Sequence, residues 1–326
     1  MDPAAPSAVA RECELPLSWS ELALLAAQVS VTDSIPDVAR GAVADAFGRC
    51  LRHHQDEIGW WRIFAFAPLV LSSESAARGG TRDRARILME KARLFAKGKF
   101  PELLARVRQA TATIRQAQQR QQSDVTFPLD DDSRWSVGMT TDASAATVSE
   151  RRIVAASKLA QKGLHAKAVR SLDNAKIAPQ DATTAAALQL LHPAGGEIAR
   201  DLLPPELDPR QPLMDSYPSE REISEMLKRM KGSAAGMSRL FPATLLQLFA
   251  IPGTQLQVGL SSVVADIARG QVPAPARPYF YGARLIAFEK KQGGVRPIAC
   301  GDVLRRLAGK WLCSKVRREA ATFFAA

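Results

Sequence analysis

The chain has 326 residues, 46% hydrophobic and 24% charged, enough to bury a core in two or three domains and too apolar to be disordered throughout. Its net charge of +11 gathers in two blocks, Arg82 to Arg120 and Arg284 to Arg318, each net +8, which leaves the remainder at net −5. Four cysteines without a CxxC pair, and a start with no basic stretch ahead of an apolar one, argue against a disulfide framework and a signal peptide, and neither is expected.

Clustered cations suit a polyanion such as nucleic acid, because each phosphate contact releases condensed counterions. They equally suit a pair of solvated helix faces, and charge alone weighs the two the same. The longest apolar run, Trp60 to Leu71, carries Arg62 and Pro68 and falls short of the ~20 residues that a membrane-spanning helix needs. It is expected to be a buried element, with Trp60 and Trp61 as core rather than base-stacking residues. The protein is expected to be intracellular, with no membrane partner.

In chain order, a helical region is expected over 1–121. Ser18 and Glu21 form a capping box ahead of LALLAAQV, Pro36 suits the first turn of a helix to about Arg52, Thr81 opens another helix that Gly98 closes, and Pro101 starts a helix ending in QAQQRQQ. Residues 122–147 are a polar linker. Within 148–201, Thr147 and Glu150 cap a helix, Gly163 stops it, and LHAKAVRSLDNA resumes as the second arm of a helical hairpin. A Pro-rich linker over 202–218 leads to the segment 219–326, where Ser219 and Glu222 make a second capping box and two further helices follow. The Pro-rich stretch Gln271 to Pro278 is expected to end the helical region.

Beyond it, ARLIAFEK, KQGG and VRPIAC set two short apolar runs around a Gly-Gly turn, the pattern of a β-hairpin over 284–299, because glycine enters positive φ without a Cβ clash. Asp302 then caps the helix VLRRLAGKWLCSKVRR. Lys290 and Arg296 flank the turn and share a face if the turn sets that register. Two such cations could grip phosphate, the lysine as a point charge and the arginine as a fork, or could blunt an exposed edge against aggregation.

The stretch RLIAFEKKQGGVRPIACGDVLRRLAGK resembles the fingers region of reverse transcriptases of non-LTR retroelements. Lys290 falls on the family lysine, Gly293 and Gly294 on the turn, Arg296 and Pro297 on the RPI, and Arg306 and Lys310 on the following helix. Upstream, KGSAAGMSRLFPATLLQLF is similar to a further family segment, with Gly236 and Leu240 in place and Arg239 where a glycine is usual. Helical preludes followed by a His-Pro, here His192 and Pro193, also accompany some of these polymerases. The specific resemblance covers about Lys231 to Lys315.

This resemblance implies a mainly α chain that ends in the start of a fingers subdomain with a small antiparallel hairpin. It implies that Lys290, Lys291, Arg296, Arg305, Arg306 and Lys310 bind a template-primer of RNA or DNA and the incoming deoxynucleoside triphosphate, with Gly293, Gly294 and Pro297 shaping the turn. Magnesium serves the family's palm aspartates, which follow the matched segment. No Tyr-x-Asp-Asp occurs here, so the chain is expected to bind no cofactor of its own and not to synthesise DNA alone, as the front of a truncated or decayed polymerase.

Other candidates are expected to be inert. Asp130, Asp131 and Asp132 read as a solvated turn, His53 and His54 after Cys50 as a helix surface rather than a zinc site, and His165 and His192 have no nucleophile partner. A different class of function, a tetratricopeptide-like interaction scaffold, would use the hairpin from Glu150 to Asn174, although no 34-residue self-similarity supports an array.

Overall fold

Local chemistry fixes the helix ends. At the start of α1 (Trp19–Gln28) the Ser18 backbone N–H donates to Glu21 Oε2 at 2.9 Å and the Glu21 N–H donates to Ser18 Oγ at 3.3 Å. The same reciprocal pair, Ser219 with Glu222, opens α7 (Glu220–Met230), and each satisfies donors that a first turn leaves unpaired. The helices between them are α2 (Asp37–Arg52), α3 (Glu57–Val70), α4 (Thr81–Ala96), α5 (Phe100–Ser123) and α6 (Ala182–Leu191). Gly98, at φ 69°, turns the chain between α4 and α5.

The structure is a computed structural model that describes residues 15–73, 80–123, 157, 178–179, 181–192, 216–290 and 293–325. All but the first two residues of the polar linker, all but residue 157 of the helical hairpin from Glu150 to Asn174 (His165 included), most of the Pro-rich linker, the three aspartates 130–132 and Lys291 lie outside these residues. The described fold is mainly helical, with one antiparallel two-stranded hairpin, β1 (Ala283–Glu289) and β2 (Val295–Gly301). None of its helices is long and apolar enough to cross a membrane.

Two compact units divide the chain. One comprises 1–126, 207–284 and 300–326, and the other 127–206 and 285–299. In the first, α2 packs against α3, α4, α8 (Pro242–Phe249) and α9 (Leu256–Ala268), so the front of the chain and its last third share a core. Two glycines permit the α2–α9 contact: a Cβ on Gly48 would stand 2.7 Å from Leu256 N, and one on Gly259 would stand 2.8 Å from Leu51 Cβ. Trp60, Trp61, Phe64 and Phe66 are all buried on α3. Phe47 stacks on Phe66 at 4.3 Å and Phe280 meets Trp60 edge-on at 5.1 Å, geometries that aromatic quadrupoles favour.

The Pro-rich stretch differs from expectation. It does not end the helical region: Ala274–Ala276 forms a 3₁₀ turn that runs into α10 (Arg277–Tyr281). Pro278 sits in the first turn of α10, where a missing N–H costs nothing. Of the residues expected on a helix surface, His53 is exposed, whereas Cys50 and His54 are buried. His54 meets Asp266 Oδ2 at 2.6 Å through Nε2 and Leu51 O at 2.5 Å through Nδ1, so it ties α2 to α9. Burial pushes the Cys50 thiol far up.

The first basic block is partly structural. Lys91 is fully buried and donates to Ser72 O at 2.9 Å, Arg84 donates to Ser34 O at 2.7 Å, and Arg106 bridges Glu90 and Glu102 at 2.8 and 3.2 Å. Arg82, Arg86, Arg93, Lys97, Lys99 and Arg108 face solvent.

Candidate functional site

The hairpin tip belongs to the second unit. Gly293 N–H donates to Lys290 O at 3.1 Å and Lys290 N–H to Gly294 O at 2.9 Å, closing a tight turn whose two glycines stand at φ 85° and 82°. That register sets Lys290 opposite Gly294 and Phe288 opposite Arg296 along strands of equal length. Side chains opposite one another share a face of a sheet, so Lys290 and Arg296 lie on the same one. Both are exposed.

Pro297 fits this register. It falls opposite Ala287, where backbone groups point away from the partner strand, so its missing N–H costs the ladder nothing. The Ala287 carbonyl points outward too and accepts from Ala178 N–H at 3.0 Å.

Arg305, Arg306 and Lys310 belong to the first unit, on α11 (Val303–Ala325). Arg305, Arg306 and Lys310 line a cleft of about 740 Å³ between α7 and α11, with Arg229, Arg317, Glu222 and Glu225. No local pattern marks Arg229 or the two acids as neighbours of that helix. Lys315 Nζ reaches Glu222 Oε1 at 3.3 Å. Glu222 is held below its usual carboxylate range chiefly by the Ser219 backbone hydrogen bond of the capping box.

Arg305 and Arg306 are partly committed to the fold. Arg305 donates to the Tyr281 carbonyl, and Arg306 donates to Ser233 Oγ and Ala234 O, both at 2.8 Å. The exposed cations of the cleft with no described hydrogen bond are Arg229, Lys310 and Arg317.

Arg306 is one of three ties that hold the loop 231–241 onto the start of α11. In another, Asp302, fully buried, caps Leu304 N–H at 3.0 Å and accepts from Ser238 Oγ at 2.5 Å. The third is close contact at Gly236, whose missing Cβ would fall 2.5 Å from Asp302 Cα. Within the loop, Arg239 adopts φ 64°, a left-handed conformation that glycine takes without strain and arginine does not. Its Nη2 donates to Val29 O at 3.2 Å, a contact 210 residues away in sequence that offsets part of the backbone strain.

Desolvation raises the Asp302 pKa above the usual carboxylate value, against the pull of the Ser238 and Leu304 hydrogen bonds. A carboxyl raised on folding adds stability in full below its unfolded pKa, and that contribution is lost as pH rises through the folded one. Asp302→Asn removes the titration, so its melting temperature is expected to gain on the wild type as pH rises from about 4 towards 7. Parallel melts across that range check this; a constant difference between the two proteins contradicts it.

Among the described residues no three His, Cys, Asp or Glu side chains gather as metal ligands. His54 has Asp266 and Leu51 O as its partners. No protein-family model, curated protein or solved structure matches the chain.

Proposed function

We propose that this chain carries the fingers region of an RNA-directed DNA polymerase of the non-LTR retroelement type, gripping a template strand and an incoming nucleoside triphosphate. The observation that carries this reading is the placement of Lys290 and Arg296 on one face of a glycine-tipped hairpin. An ammonium on such a face neutralises phosphate charge, and a guanidinium beside it offers two parallel donors to a pair of phosphate oxygens. Phosphoryl transfer depends mostly on positioning and charge stabilisation, so a grip of this kind contributes to rate without covalent chemistry. The magnesium chemistry of such a polymerase is assigned to no residue of this chain.

Lys290→Ala and Arg296→Ala are each expected to weaken binding of a triphosphate or a template oligonucleotide about 10-fold, the size of one charge-assisted hydrogen bond. Affinity is expected to fall steeply with salt, and each substitution should flatten that slope. Fluorescence anisotropy over a salt series measures both. Binding that ignores salt, or that both variants retain in full, would sink the proposal.

A further inference from the structure

Helix α4 carries a row of cations that no described hydrogen bond or ion pair uses. Arg82, Arg86, Arg93 and Lys97, the last at the C-cap, are all exposed. At 3.6 residues per turn they fall within about 60° of one another, on the side away from the buried Ala85, Leu88, Ala92 and Phe95. The cations that the fold does tie down, Arg84 and Lys91, lie off this row. Arg86 is near enough to Glu90 to help lower that carboxylate, but Glu90 pairs with Arg106 at 2.8 Å.

The row works against the helix that bears it. Arg82 with Arg86, and Arg93 with Lys97, are like charges at i and i+4, a spacing that destabilises a helix. Arg82 also stands in the first turn, at the positive end of the helix dipole, where an acid is favoured and a cation is not. A face kept only for solvation mixes its signs and sets acids four residues before bases. Of the two acids on α4, Asp83 lies off the row and Glu90, at its border, is taken by Arg106.

An anionic partner relieves both costs at once, and the spacing says which kind. The four cations form two pairs, each about 6 Å long, with about 16 Å between the pair centres along the helix axis. A duplex carries its charge on two ridges either side of a groove about 12 Å wide, so long side chains of one pair reach one strand and those of the other pair reach its partner. Three of the four are arginines, whose forks match two phosphate oxygens. An anionic membrane suits the row less well, because a helix lying on lipid turns an apolar face to it, and the apolar face of α4 is in the core.

We propose that the exposed row on α4 binds the phosphate backbone of a double-stranded nucleic acid without regard to its sequence, one strand at Arg82 and Arg86 and the other at Arg93 and Lys97. The row shares no residue with the hairpin that carries Lys290 and Arg296, so it stands or falls separately from the polymerase reading.

Fluorescence anisotropy of the full chain with a short labelled DNA duplex, over a salt series, tests it. Arg82→Gln/Arg86→Gln and Arg93→Gln/Lys97→Gln are each expected to weaken binding about 10-fold and to lower the slope of log affinity against log salt by about 2. Arg49→Gln/Arg52→Gln removes the same charge from exposed positions of α2 and is expected to stay within about 2-fold of the wild type. Arg82→Gln/Arg86→Gln is also expected to melt no lower than the wild type, because it deletes a repelling pair. The proposal is overturned if the row variants lose no more than the α2 variant, if the salt slope is unmoved, or if Arg82→Gln/Arg86→Gln melts several degrees lower. It is equally overturned if a single-stranded oligonucleotide, polyglutamate or phosphatidylserine vesicles bind as tightly as the duplex with the same dependence on the row. Loss of binding in Lys290→Ala and Arg296→Ala, with full binding in the row variants, would leave the polymerase reading standing and overturn this one.

Discussion

Replacing Trp61 by alanine is expected to cost about 3–5 kcal/mol, the range for removing a large aromatic from a close-packed core. Trp61 is fully buried on α3, meets Phe100 edge-on at 5.3 Å, and donates from Nε1 to Leu17 O at 2.9 Å. The substitution opens a cavity beneath α5 and leaves the Leu17 carbonyl without its donor, and the two losses add. Leu17 lies at the entry to α1, so the damage reaches the first helix as well as the third. A fall of about 10 °C in melting temperature is expected for a chain of this size. Trp61→Phe refills most of the volume and loses only the hydrogen bond, so it should fall by a third of that or less. Equal falls for the two would mean that the indole N–H, not the packing, holds this region.

What the sequence reveals and what it hides divides by distance along the chain. The capping boxes at Ser18 and Ser219, the left-handed Gly98 and the Gly-Gly turn are each decided by atoms within four residues, and the structure has them where the local chemistry predicts. The position of Pro297 follows the same logic, since the register is set by the turn beside it. Nothing local announces that Asp302 will accept from Ser238, 64 residues earlier, or that His54 will meet Asp266 across 212 residues. A pair of that kind forms only once α2 and α9 have closed over Gly48 and Gly259, and glycines within helices give no sign in advance of which backbone will approach them. The same blindness hid Arg239 and Arg284. Each reads as one more cation in a basic protein until tertiary packing encloses the Nε of both without a described partner. The placement of Lys290 and Arg296 beside their turn, and of Arg305, Arg306 and Lys310 along one helix, is therefore legible locally, whereas that of Arg229 beside that helix is not.

Gly236→Ala is expected to unfasten the loop from the base of the hairpin. A Cβ there would stand 2.5 Å from Asp302 Cα, 2.6 Å from Asp302 N and 2.7 Å from Gly301 C. All three neighbours are backbone, so no rotamer change relieves the overlap, and overpacking of this kind costs about 1–3 kcal/mol. If the loop lifts instead, the Ser238 to Asp302 hydrogen bond and both Arg306 contacts are strained together, at about 1 kcal/mol or more apiece. Either route leads to a loss near 3 kcal/mol, seen as a lower denaturation midpoint and as earlier protease cleavage within 231–241. Gly232→Ala, in the same loop with open space where its Cβ would point, should stay within about 0.5 kcal/mol of the wild type. If both alanines behave alike, close approach at Gly236 is not what fastens this loop, and its hold on α11 rests on Asp302 and Arg306 alone.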